Sequence, residues 1–177
     1  ERALELDPLS LGINRNFGAV LCWAGECDKG IEHLRRTIEM DPDYIFSHLV
    51  LGFLYVVRGM YEEALSQLEK EKRIIKQWNS STEAWTAVSY VRMGQRKKGR
   101  RVLDQMLEKS REMYVSAFHI AQVYIELGEN DEALKWLEKA MEERDPWLRQ
   151  VKLISSFGSI GSDPRYFELL KKLGLYE

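Results

Sequence analysis

The chain has 177 residues, 45% hydrophobic and 31% charged, with a formal net charge of -2. That is enough for one ordinary domain or one repeat array with a buried core. The near-neutral balance argues against a dedicated nucleic-acid binder, and the longest apolar runs fall far short of the ~18 residues of a membrane span.

In chain order, residues 1–8 ("ERALELDP") read as the last turns of a truncated upstream helix. No signal-peptide pattern and no initiator Met open the chain, so we expect a piece of a longer, cytoplasmic protein. The phrase "ALELDP" returns as "TIEMDP" 34 residues later. Gly25, Gly59, Gly94 and Gly128 are spaced by 34, 35 and 34 residues. Gly30, Ala64, Gly99 and Ala133 keep the same intervals, as do Leu34, Leu68, Leu103 and Leu137. Three columns on one period predict a helix–turn–helix repeat. The first glycine column closes the first helix of each unit, where a left-handed residue is needed. The small-residue column lets two antiparallel helices approach, and the leucine column fills the space between them. Such a pair cannot bury its apolar faces alone, so neighbours must stack.

The spacing divides the chain into units at 9–42, 43–78, 79–112 and 113–145, with a capping segment at 146–177. "KRIIKQWNSS" suggests a longer second helix in the second unit. In the tail, Trp147, Leu148, Val151 and Ile154 fit one face of a short helix, and "GSIGS" reads as a loop. Asp163 is expected as an N-cap with Pro164 at the first helical position, followed by an amphipathic helix that Gly174 ends.

These columns resemble the tetratricopeptide repeat family. Residues 43–76 carry the resemblance through Leu51, Gly52, Tyr55, Gly59, Tyr61, Ala64 and Leu68. Residues 9–42 carry it through Phe17, Gly18, Leu21, Gly25, Leu34 and Pro42, and residues 113–145 through Tyr124, Gly128, Ala133, Leu137 and Ala140. The third unit keeps Tyr90, Gly94, Gly99, Leu103 and Met106. Gly30 and Gly99 depart from the family's usual Ala, each at up to about 1 kcal/mol of helix propensity. The resemblance implies an all-α, right-handed superhelical solenoid of antiparallel helix pairs with C-terminal capping helices. It also implies a non-catalytic scaffold that binds a protein or extended peptide in a concave groove. The tail phrase "SDPRYFELLKKLGL" resembles the closing segment of bacterial and archaeal signalling proteins that end in these repeats. Self-association, or a regulatory role beside a cyclase, kinase or transcription regulator, is the alternative.

By register, the residues expected to meet a partner are Arg15, Asn16, Trp23, Phe46, Leu49, Phe53, Trp85, Phe118 and Gln122. The family's carboxylate clamp is absent. Of its Lys and Asn positions, which fall here on Arg15, Ala19, Val50, Ser81 and Trp85, only Arg15 is comparable. No cofactor or metal is expected. His33, His48 and His119 occupy different columns, and the two cysteines, Cys22 and Cys27, read as half-buried thiols. No phosphate loop or Ser–His–Asp set appears. The run "RKKGRR" (96–101) looks like a nucleic-acid arm, but Gly99 places it in register with "YEEA" and "NDEA" as the start of a second helix. Basic residues at a helix N-terminus are unfavourable by roughly 0.3–1 kcal/mol each, so an anionic neighbour is expected there.

Overall fold

The structure, a computed structural model, describes residues 2–154 and 159–175. The described chain is all-α. It begins with α1 (Arg2–Leu6), α2 (Leu11–Trp23), α3 (Cys27–Met40), α4 (Ser47–Val57), α5 (Tyr61–Ile75) and α6 (Ser80–Arg92). It continues with α7 (Arg96–Lys109), α8 (Ala117–Glu126), α9 (Asn130–Glu142), α10 (Val151–Ile154) and α11 (Pro164–Lys172). Helices pack as sequential antiparallel pairs, α2 on α3, α4 on α5 and α8 on α9. Two compact bodies result, residues 1–89 and 90–177.

Each first helix stops where the glycine column predicts. Gly25 adopts φ +87°, its N–H bonds to the Cys22 carbonyl, and the Glu26 N–H reaches back to Leu21 at 2.9 Å. This satisfies the carbonyls that a helix end leaves open. The leucine column is fully interior: Leu34, Leu103 and Leu137 expose nothing. Each such side chain contributes roughly 1.5–3 kcal/mol by leaving water.

The glycine at position 30 has a structural reason. A Cβ there would sit 2.5 Å from the Gly18 carbonyl oxygen and 3.1 Å from Leu54 Cδ2. In the next pair Gly52 faces Ala64 instead, and a Cβ on Gly52 would meet Leu68 at 3.0 Å. The α2–α3 crossing is thus closed by backbone on both sides, and the propensity lost at Gly30 is offset by that approach.

The same corner corrects the reading of the cysteines. Cys22, one residue before the end of α2, and Cys27, the first residue of α3, are joined in a disulfide. The helix-turn-helix geometry brings together two side chains five residues apart, which spacing alone did not suggest.

Elsewhere α5 runs 15 residues, one more than α3, and ends on Lys76 in the left-handed region. The helices of this stretch take up the extra residue, and the connection to α6 is short: there Asn79 Oδ1 accepts the N–H groups of Ser81 and Thr82 at the start of α6. In the tail, Leu148–Gln150 forms a 3-10 turn ahead of α10, with Leu148 and Val151 buried. Ser159–Ser162 of the expected "GSIGS" loop is a 3-10 turn as well, and Gly158 lies outside the described residues. The side chain of Ile154 is likewise not described. Asp163 caps α11 by accepting the Arg165 N–H, with Pro164 in the first turn. Tyr166, Leu169 and Leu170 are buried, and the Tyr166 hydroxyl donates to the Val151 carbonyl at 2.6 Å.

Gly30→Ala should destabilise the protein by about 1–3 kcal/mol in urea unfolding, although Ala is the better helix former. An unchanged or raised midpoint would show that α2 and α3 are not in backbone contact. Without reductant, the denatured chain should take up no maleimide, and both cysteines should label once reductant is added. Labelling of both before reduction would leave the corner unbridged.

Candidate functional site: an apolar face on the first helices

The face expected to bind a partner is built from α2, α4 and α6. Residues 34 apart occupy equivalent places on α2 and α4, so Asn16 matches Val50, Ala19 matches Phe53 and Trp23 matches Val57. On α4, Val50, Phe53 and Val57 share one stripe by their helical spacing. Trp23 is 52% exposed and Val57 39%, whereas Val50, Phe53 and Trp85 are half-buried against the core. The Phe53 and Trp85 rings lie 4.9 Å apart at 47°, a tilted aromatic pair.

At the other end of the stripe, Phe46 precedes α4 with a left-handed φ of +67°. That conformation is uncommon for a bulky residue. A buried carboxylate holds it: Glu71, fully buried on α5, accepts the Phe46 N–H at 2.7 Å and the Leu49 N–H at 3.2 Å. The negative group sits at the positive end of α4, where the open N–H groups favour it. Arg15 on α2 then covers the Phe46 ring at 5.9 Å and the Tyr44 ring at 5.8 Å. It donates to the Ile45 carbonyl at 3.2 Å and to Asn16 Oδ1 at 3.3–3.4 Å.

Arg15, Asn16 and Phe46 are therefore gathered at one end, Phe53 and Trp85 in the middle, and Trp23 at the far end. Leu49 is buried and presents no surface. Phe118 and Gln122, expected on the same kind of face, are each 2% exposed. The reason is local: every residue from Ala117 to Ile125 of α8 is buried. The open face of the described chain is thus that of the N-terminal body. Tyr44 and Val57 belong to it and were not singled out in the sequence, although Val57 is one period after Trp23.

In the C-terminal body, Asp145 plays the part of Glu71. It is buried and accepts the Ser116 hydroxyl at 2.7 Å, the Phe118 N–H at 3.2 Å and the Trp147 N–H at 2.9 Å. His119 is 2% exposed and packs against Phe118 and Trp147. The basic run has an internal explanation as well. Arg96 donates to the Leu127 carbonyl at 2.6 Å, at the negative end of α8, and Arg100 pairs with Glu129. Lys98 lies 5.3 Å from the Tyr90 ring centroid. The Arg96 and Arg100 contacts dock α7 on the α8–α9 corner and compensate the basic helix start. Among the described residues, no three His, Cys, Asp or Glu side chains group closely enough to hold a metal ion.

Burial pushes the His119 imidazole from its ordinary 6.5 down to about 4, against the opposite pull of Asp145. The unfolded chain binds that proton more readily, so the native contribution is complete above pH 6.5, fades as pH falls, and is gone below about 4. The loss amounts to about 3 kcal/mol at most. Urea titrations at stepped pH should show a steeper fall for the wild type than for His119→Gln across this window. Coincident slopes would remove the buried imidazole from the account.

Comparison with known proteins agrees with this architecture. Residues 114–145 match the tetratricopeptide repeat family. A tetratricopeptide repeat-containing protein of Bacillus subtilis, YpiA, is 26% identical over 73% of this chain. The chain spans only 31% of that relative's length. Among solved structures, a thermophilic repeat protein of Thermus thermophilus, TTC0263, superposes with a TM-score of 0.64 at 25% identity, covering 88% of this chain and 85% of its own. YrrB superposes with a TM-score of 0.54 at 22% identity, over 97% of this chain and 88% of its own, and shows the fold alone. With its period, its glycine-closed helix pairs and these matches, the chain is similar to tetratricopeptide repeat proteins, and residues 114–145 match the family's repeat.

Proposed function

We propose that this chain is a non-catalytic scaffold that binds a protein or extended peptide on the α2–α4–α6 face of its N-terminal body. The observation that carries this reading is the exposure of Trp23 and Val57 beside the half-buried Phe53–Trp85 pair. A contiguous exposed apolar patch usually marks an interaction site. Tetratricopeptide repeats as a class serve protein–protein interaction, and YrrB is described as having an unusual peptide-binding site. Both support the reading by analogy.

The disulfide removes one ground for expecting a cytoplasmic home, because such bonds persist in oxidising compartments. Among the described residues no helix is long and apolar enough to cross a membrane.

Short displayed peptides selected on the whole chain provide the test. Trp23→Ala should weaken selected peptides by about 2 kcal/mol, the cost of truncating an interface anchor. Trp23 is half in solvent, so its removal should leave unfolding unchanged. Unaltered affinity for every selected peptide would move the site off this face. A concentration-dependent mass that Trp23→Ala abolishes would give the face to a second copy of the chain.

A further inference from the structure

The charge pattern of the face narrows the partner's chemistry, an inference that rests on the function proposed above. Helices α2 and α4 together carry one permanently charged side chain, Arg15, and no carboxylate. The second helices hold most of the charge, as in "YEEALSQLEKEKRII" of α5. Arg15 forms no ion pair among the described residues: its acceptors are the Ile45 carbonyl and Asn16 Oδ1, both neutral. Its guanidinium is also stacked near two ring faces, Tyr44 and Phe46. The fork is held in place while its positive charge stays uncompensated. An ordered guanidinium with free donors suits a carboxylate, and little side-chain freedom remains to be lost on binding.

We infer that the partner segment carries an acidic side chain that pairs with Arg15, followed along the chain by apolar side chains on the α4 stripe. From Phe46 to Val57 a helix advances about 16 Å at ~1.5 Å per residue. An extended peptide covers that length in about five residues at ~3.3 Å each. The Asp or Glu should therefore stand about five residues from the bulky apolar residue that meets Trp23 and Val57, with another apolar residue between them over Val50 and Phe53. The carboxylate belongs to a side chain rather than to a chain end. A terminal carboxylate needs several convergent donors, and Val50 and Trp85 stand where further donors would be required.

The test uses short peptides displayed with both ends blocked, selected on the whole chain and then titrated by fluorescence anisotropy. The expected peptides hold Asp or Glu about five residues from a large apolar residue. Changing that acid to its amide should weaken binding to the wild type about tenfold and change nothing on Arg15→Gln, with Arg15→Lys intermediate. The peptide-side change leaves the protein untouched, so a folding defect in the Arg15 variants cannot mimic it. Peptides that lose affinity on Trp23→Ala yet show no acid selection and no amide effect would overturn the acidic partner and leave the scaffold standing. Binding that requires a free C-terminus would overturn it too, in favour of a chain-end ligand. Failure to select any peptide sensitive to Trp23→Ala would overturn both.

Discussion

Two helices come into backbone contact only where the crossing point carries no bulky side chain, and this constraint organises the described structure. At the α2–α3 crossing, Gly18 and Gly30 leave no room for even a methyl group between the Gly18 carbonyl and residue 30. At α4–α5 the same place is taken by Gly52 and Ala64. The close approach brings Leu34 and Leu68 into full contact with the first helices and turns each short amphipathic pair into a packed layer. A single pair of this size buries too little to be stable alone, so stability comes from layers stacking in register.

A second layer of control is electrostatic. The first helices have few charged residues of their own, and the carboxylates that cap them come from elsewhere. Glu71 caps α4 from the C-terminal part of α5, and Asp145 caps α8 from the turn after α9. Both are buried, and both accept more than one hydrogen bond at a helix N-terminus. A half-satisfied buried carboxylate would be costly; fully bonded ones fix the angle at which a helix begins. The strained Phe46 backbone follows from this arrangement, since Glu71 accepts its N–H. Arg15 is ordered in turn by packing on the Phe46 ring.

Legibility in the sequence tracked periodicity. The glycine, small-residue and leucine columns foretold helix ends, crossings and core, because each depends on a local requirement that recurs every 34 residues. The capping of α11 by Asp163 and Pro164 was legible for the same local reason. What depends on contacts between distant residues was not. Nothing near Glu71 or Asp145 in the sequence marks them as caps. Cys22 and Cys27 meet only because the corner folds them together. Phe118 shares its column with Arg15 and Gln122 shares its column with Phe53, both partly exposed, yet every residue of α8 from Ala117 to Ile125 is buried. The register of Gly99 placed Arg96 and Arg100 at a helix start, but their partners on the α8–α9 corner were not legible in the sequence.

The central claim is that a partner rests on the α2–α4–α6 face, and the five tryptophans report on it directly. The measurement is an indole N–H spectrum of the whole chain, with and without a selected peptide at saturation. The account predicts that the Trp23 and Trp85 signals move while those of Trp136 and Trp147, in the C-terminal body, stay in place. Movement of Trp136 or Trp147 with Trp23 and Trp85 unchanged would contradict it and transfer the site to the other body.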